Sequence, residues 1–535
     1  MNILDVLRRH ARERPDAAAI IDTHHRRPRA TTFADLDRLS ARAAGLLTRA
    51  GLTPGDAVLV FHPMSAELYV ALLAIFRLRL VAMFLDPSAG REHVERCCEL
   101  HAPRGLIAST KAHLLRLTSP ALRRIPAKFV IGWPVPGATR WGKLASTPPH
   151  DAIAECPPGT PALLTFTSGS TGQPKAAVRT HDFLLAQHAA LAHSLRLEPG
   201  DVDLTTLPIV LLANLGSGVT SVVPDADLRL PGAIAAGPVV TQIRAHNVVS
   251  STASPAFFER LARHCLDRGD KLPGLRKVFT GGAPVFPRLL DRVQATAPAA
   301  DVVAVYGSTE AEPIAHISRS ELTADDRRAM LAGRGLLAGP PVAEVRLRIL
   351  RDQWGRPAGP FSAAQFNAQC QPAAGHPLAG RPGEIVVTGG HVLSGYLDGK
   401  GDAETKFRVD GTVWHRTGDA GYLDGRGRVW LLGRCSATIR DGRGTLYPFA
   451  AETAAYEDPA VRRAAVVAHR GRRVLAVEYD GDCSEADVAA LSAALKWAEL
   501  DAVRVCRSIP VDGRHNAKID YPRLYAMLDR ASGVA

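Results

Sequence analysis

Hydroxyl side chains at Thr167, Ser168, Ser170 and Thr171 are interleaved with Gly169 and Gly172, and the run ends in Pro174-Lys175. The two glycines let the backbone turn tightly and bring N–H groups close to an anion. The hydroxyls donate further hydrogen bonds and Lys175 adds positive charge, which is the chemistry of a loop that holds polyphosphate. The apolar residues Ala162, Leu163 and Leu164 run into it, so it leaves the end of a buried strand. The spacing is not that of the GxxxxGK(S/T) loop, since neither Ser nor Thr follows the lysine. A Ser/Gly-rich surface linker is the plain alternative, but a linker has little reason to follow a hydrophobic strand and end in Pro-Lys.

Other residues with chemical potential recur after apolar runs. Gly281-Gly282-Ala283-Pro284 follows Val278-Phe279-Thr280, and bare backbone of this kind can lie flat against a planar ring. Tyr306-Gly307-Ser308-Thr309-Glu310 follows the buried-strand pattern Val302-Val303-Ala304-Val305. Read alone, Ser308 or Thr309 could equally cap a helix with Glu310 in its first turn. Downstream, Trp414-His415-Arg416-Thr417-Gly418-Asp419 and Gly433-Arg434 supply a carboxylate with two acceptor oxygens and a guanidinium. Arg514-His515-Asn516-Ala517-Lys518-Ile519-Asp520 closes the series.

In order and spacing these segments closely resemble the acyl-adenylate-forming (AMP-binding, acyl-CoA synthetase and luciferase) superfamily. The resemblance implies that Thr167–Lys175 holds the phosphates of ATP and that Gly281, Gly282, Ala283 and Pro284 pass along the adenine. It implies that Tyr306, with Gly307 and Ser308 after it, stacks on that ring. Thr309 is then expected to hydrogen-bond the α-phosphate, Glu310 to hold Mg²⁺, and Asp419 and Arg434 to contact the ribose. Lys518 corresponds to the lysine that bridges carboxylate and α-phosphate during adenylation. The catalytic set so implied is Lys518, Thr309 and Glu310.

The segment that joins the two steps of such enzymes departs from the thioester-forming pattern. CoA-forming members read Gly-Arg-x-Asp, Ile-Lys and Gly-x-Arg there, whereas this chain has Gly433-Arg434-Cys435-Ser436, Ile439-Arg440 and Arg443-Gly444-Thr445. These departures, with Glu452, Trp414–Asp419, Ile75-Phe76-Arg77-Leu78, Leu85-Asp86-Pro87-Ser88 and Arg514–Asp520, are similar to the β-lactone synthetases of bacterial olefin biosynthesis. That resemblance spans nearly the whole chain. It implies ATP-dependent adenylation of a fatty or β-hydroxy fatty acid, followed by attack of the β-hydroxyl on its own acyl-adenylate. An acyl-CoA or acyl-carrier-protein ligase is the alternative, and an inactive nucleotide-binding scaffold subunit the alternative of another class.

Positioning such groups requires alternating strands and helices. Helices are expected over residues 2–13, 33–50, 66–78, 183–195, 256–264 and 485–495. Strands are expected near 57–61, 81–85, 106–108, 129–132, 248–251, 277–280, 302–305, 464–468 and 474–479. The fold class is α/β: a large N-terminal domain of two α/β subdomains with a smaller barrel-like β region, residues 1–434, and a small α+β lid, residues 435–535. Leu204–Pro224 carries no charge, but Pro208, Asn214, Gly216 and Gly218 interrupt it; a strand, turn and buried helix is expected rather than a membrane span. Its residues Pro208, Leu212, Asn214 and Leu215 are the candidates for an acyl pocket, Asn214 as a hydroxyl-orienting group or a satisfied core amide.

A chain of 535 residues is too long for one core. Its 46% hydrophobic and 22% charged residues are ordinary for a globular protein, and the +12 charge is scattered rather than gathered into a nucleic-acid-binding stripe. Eight cysteines without metal-ligand spacing fit free thiols in the cytoplasm. The expected partners are a small-molecule carboxylic acid and other enzymes of the same pathway.

Overall fold

The computed structural model describes residues 1–24, 27–85, 90–168, 174–351, 353–370, 380–511 and 519–532, with the backbone alone at 167–168 and 531–532. The chain divides into two compact units, the first formed by Met1–Asp225, Thr241–Thr252 and Gly390–Ala403, the second by Ala226–Val240, Ala253–Gly389 and Glu404–Ala535.

The first unit is built on a sheet whose central strand, Ala57–Phe61, is buried along its whole length. It pairs in parallel with Val81–Phe84 and Gly105–Ser109. These pair in turn with Pro161–Ser168 and Ala127–Ile131. Strands buried on both faces need helices above and below them. The helix Ala66–Arg77 is accordingly apolar nearly all round, while Phe33–Arg49 buries one stripe. Caps fix the helix starts: Asn2 Oδ1 accepts from Leu4 N while the Asn2 amide donates to the Asp5 carboxylate at the head of Ile3–Glu13, and Thr32 accepts from Asp35 N. Here too Val202–Thr205 pairs in parallel with Thr220–Val222 and with Ser250–Ala253. The uncharged stretch is thus a strand and the buried helix Pro208–Ser217, as its punctuation predicts, followed by the short strand Thr220–Val222, which it does not. No helix among the described residues is long and apolar enough to cross a membrane.

Several strands were not foreshadowed, among them a hairpin near the N-terminus and the strand that follows the glycine-rich loop. Ala18–His24 pairs antiparallel with Arg27–Thr32, whose Arg-Pro-Arg start hides it from any hydrophobic pattern. Pro174–Thr180 runs antiparallel to Pro161–Ser168, so residues 169–173 are flanked by paired strands.

In the second unit Lys277–Gly281 lies parallel to Asp301–Ser308, which turns back antiparallel into Ala311–Ser318. That reversal excludes the helix cap at Ser308 or Thr309. A mainly antiparallel sheet then runs in the order Leu336–Gly339, Val429–Arg434, Thr412–Leu423, Gly383–Thr388, Arg346–Leu350, with Lys406–Val409 alongside Thr412–Leu423. Beyond it, Val461–His469 and Arg472–Tyr479 form a hairpin extended in parallel by Ala502–Val505. The helices Pro448–Ala455 and Glu485–Ala494 supply residues to the core cluster that covers this hairpin.

Candidate active site

The second unit brings together three residues that are far apart in sequence. Tyr306 donates its hydroxyl to Asp419 Oδ2 at 2.7 Å, and Arg434 donates Nη1 to Asp419 Oδ1 at 2.7 Å. The second contact follows from pairing, since Asp419 and Arg434 are directly opposite on Thr412–Leu423 and Val429–Arg434. Arg434 Nη1 also donates to the Thr417 carbonyl at 3.2 Å. Burial and the neighbouring carboxylate push the Tyr306 phenol well above its ordinary value, so it remains a donor. Asp419 holds the Arg434 cation firmly charged. A carboxylate offers about four lone-pair sites. Two are filled here, which leaves capacity for a diol.

The segment expected along adenine sits at the same end of the parallel pair. Gly281 is opposite Val305, and a Cβ on Gly281 would lie 2.6 Å from the Val305 carbonyl oxygen. Gly282 continues with φ +83°, a left-handed conformation that favours glycine. Gly282 and Pro284 are exposed and Ala283 half-buried, whereas Thr280 Oγ1 and Ser308 Oγ are buried without a hydrogen-bond partner among the described residues. Orphaned hydroxyls at the carboxyl ends of parallel strands are open valences for a ligand.

Thr309 and Glu310 form the half-buried turn between Asp301–Ser308 and Ala311–Ser318. The negative charge of Glu310 reaches His415, a residue that sequence reasoning did not single out. His415 Nδ1 lies 3.1 Å from the Thr405 carbonyl and 3.2 Å from Lys406 Nζ. Burial first, and Lys406 second, hold its pKa down to about 3 against the upward pull of Glu310. The imidazole is therefore neutral at physiological pH. Among the described residues no three His, Cys, Asp or Glu side chains gather as a metal nest. A single carboxylate such as Glu310 suits Mg²⁺, which takes most of its ligands from phosphate and water.

In the first unit, Lys175 stands opposite Thr167 in the strand pair, and its side chain lies along Gly401, where a Cβ would fall 2.5 Å from Lys175 Cδ. Thr165 Oγ1 is buried without a partner among the described residues. Gly169, Ser170, Thr171, Gly172 and Lys518 lie outside the described residues, as do the side chains of Thr167 and Ser168. In Pro208–Ser217, the Pro208 carbonyl accepts from Tyr69 Oη at 2.9 Å. Leu212 and Leu215 are buried, and Leu212 lines a small cavity of about 10 Å³ with Ile3, Leu7 and Leu184. Asn214 is wholly buried and donates Nδ2 to Asp203 Oδ2 at 3.0 Å and Ser221 Oγ at 3.1 Å. Its donors are spent inside the fold, while its Oδ1 is buried without a hydrogen-bond partner among the described residues.

The joining segment is tightly packed. Gly433 has φ +101°, and a Cβ there would meet Phe449 Cβ at 2.5 Å. Cys435, the next residue but one, is buried, and burial pushes its thiol up to about 12.

Residues 7–397 match the AMP-binding enzyme family. The chain is 32% identical to an olefin β-lactone synthetase of Stenotrophomonas maltophilia, over 98% of this chain and 97% of that protein. It is equally identical to an olefin β-lactone synthetase of Xanthomonas campestris pv. campestris, over 98% and 96%. Among solved structures, an anthranilate CoA ligase in complex with anthranoyl-AMP shares the fold at a TM-score of 0.80, with 17% identity over 99% of this chain and 98% of that one.

Proposed function

The chain belongs to the AMP-binding enzyme family as an ATP-dependent acyl-adenylate-forming ligase, and from that premise we propose that it converts a β-hydroxy fatty acid to a β-lactone. The observation that carries this reading is the end-to-end similarity to olefin β-lactone synthetases, which extends through the joining segment and the C-terminal part of the chain.

In the first step a carboxylate oxygen attacks the α-phosphorus of ATP, forming the acyl phosphate bond and breaking the α–β phosphoanhydride. Pyrophosphate leaves. Negative charge accumulates at phosphorus, so the step requires preorganised donors and cations. Thr309, Lys175 and Lys518 take those parts in this reading, with the hydroxyls and backbone of Thr167–Thr171 around the phosphates. Asp419, braced by Tyr306 and Arg434, accepts from the ribose hydroxyls. Mg²⁺ held at Glu310 would neutralise phosphate charge.

In the second step the β-hydroxyl oxygen attacks the acyl carbon, closing a four-membered ring and breaking the bond to the phosphate. AMP leaves, and the hydroxyl proton passes to its phosphate or to water. Intramolecular attack has a proximity advantage over recruiting a second substrate and needs no thiol. We place the division between adenylation domain and lid at Arg434–Cys435 and the protein in the cytoplasm, where its eight free thiols are kept reduced.

Mass spectrometry after incubation with ATP, Mg²⁺ and a panel of fatty and β-hydroxy fatty acids, with and without CoA, tests the reading. AMP and a dehydrated, CoA-free product from the β-hydroxy acids alone are expected. A CoA thioester would instead make the protein a thioester-forming ligase.

A further inference from the structure

We infer that Glu384 is a positioning residue for the nucleotide, acting through a strand bulge that projects Asp419. This rests on the reading of Asp419 as the ribose ligand. In the pairing of Gly383–Thr388 with Thr412–Leu423, Glu384 faces Ala420 and Val386 faces Arg416. Ile385 alone therefore stands against Thr417, Gly418 and Asp419. Two extra residues must leave the ladder, and such a bulge bends the strand and re-aims a side chain. Here the re-aimed side chain is Asp419.

The bulge is held from inside. Glu384 Oε1 accepts the Gly418 amide at 3.3 Å, while Oε2 accepts Arg416 Nε at 2.9 Å and Nη2 at 2.6 Å. Thr417 Oγ1 donates to the Ile385 carbonyl at 2.8 Å and accepts the Asp419 amide at 3.0 Å. Gly418 takes φ +72°. The remaining donors of Arg416 reach the Arg356 carbonyl at 2.6 Å and the Gln353 carbonyl at 3.4 Å, which fixes the loop carrying Trp354. The Arg416 guanidinium lies 5.7 Å from the Trp354 ring centre, and a Cβ on Gly418 would come within 3.2 Å of that ring. Glu384 thus closes the inner side of the bulge and Trp354 its outer side.

The side chains of Glu384 and Arg416 are 0% and 2% exposed. A buried ion pair is a poor source of stability, because apolar residues of the same volume do as well or better. Burial raises the Glu384 pKa, and Arg416 opposes that rise. What the pair supplies that an apolar pair would not is an acceptor for the Gly418 amide and a fixed direction for the next residue.

The test is steady-state pyrophosphate release in the full-length protein. Glu384→Gln should raise KM for ATP about tenfold or more, with KM for the acid unchanged and kcat within about threefold. Trp354→Ala, at a half-exposed position that a fold tolerates, should raise KM for ATP in the same sense, and Trp354→Phe should restore it. Asp419→Ala is the reference. If it raises KM for ATP while Glu384→Gln and Trp354→Ala change only Tm or kcat, the positioning role is overturned. Should Glu384→Gln fail to fold, the Trp354 pair decides alone. An unchanged KM in Asp419→Ala would overturn the ribose assignment itself, and the positioning role with it.

Discussion

Phe286 stacks on Tyr456, ring centres 4.0 Å apart and planes 16° from parallel. Two residues on, Arg288 donates Nη1 to the carbonyls of Asp458 and Pro459 at 2.9 and 3.1 Å and Nη2 to that of Val461 at 3.0 Å. The start of Pro287–Thr296 is thus fastened to the turn between Pro448–Ala455 and Val461–His469. Arg288→Ala is expected to cost roughly 1.5–3 kcal/mol of local stability, since it leaves three carbonyls short of a charged donor. Opening is then about tenfold more frequent or higher, and limited proteolysis within residues 435–440 should quicken in proportion. An unchanged cleavage rate would show that the fastening contributes nothing to the C-terminal segment.

Asp419 has two measurable dependences. If Asp419 accepts the ribose hydroxyls as proposed, Asp419→Asn keeps the shape but weakens that acceptance, and KM for ATP should rise about tenfold or more. Tyr306→Phe removes one donor from the carboxylate at 2.7 Å and keeps the ring; a rise of about threefold to tenfold is expected. A larger effect from Tyr306→Phe than from Asp419→Asn would contradict the order of roles argued above.

Lys518→Ala should lower the adenylation rate by about a hundredfold, the scale of losing one preorganised donor at the transition state. ATP–pyrophosphate exchange measures that step directly, and full exchange activity in the variant would remove Lys518 from the mechanism.

Glu452 is buried, with Oε1 accepting the Val466 amide at 2.9 Å and Tyr456 and Tyr521 nearby. Burial raises its pKa from 4.5 to about 7. Native Glu452 therefore holds a proton that the unfolded chain releases, so its contribution is complete below pH 4.5 and is lost as pH rises towards 7. At most about 3 kcal/mol is at stake. Glu452→Gln should flatten this component: unfolding free energies of variant and wild type should converge at acid pH, and the variant should gain relative stability at pH 8. A pH-independent difference between the two proteins would refute it.

The sequence was most legible where apolar runs were unbroken. Ala57–Phe61 and Val302–Val305 read as buried strands because nothing polar interrupts them, and Pro208 and Gly218 punctuate the intervening helix where it starts and stops. Arg27–Thr32 and Pro174–Thr180 escaped because edge or partly exposed strands mix Arg, Lys and Pro with small residues, and their identity lies in the pairing. Of the candidate site, the chemical groups were visible and their relations were not. No local pattern could reveal that Tyr306 meets Asp419, 113 residues away. Nor could it show that Glu384 lies beneath Gly418, because a bulge is a mismatch between two strands. Asn214 shows a related limit: the pattern could not reveal that its Nδ2 donors meet Asp203 and Ser221 while Oδ1 is buried without a partner among the described residues.

The buried cysteine beside Arg434 turns the joining segment into its own timekeeper. A thiol at Cys435 that is shielded and held unionised by burial reacts with an electrophile only while the segment is open. Its alkylation rate therefore counts opening events, whereas the more accessible Cys483 and Cys506 provide the internal baseline. A catalytic cycle that never releases this segment would leave Cys435 unlabelled through many turnovers, and one that swings it at every turnover would label it in step with product.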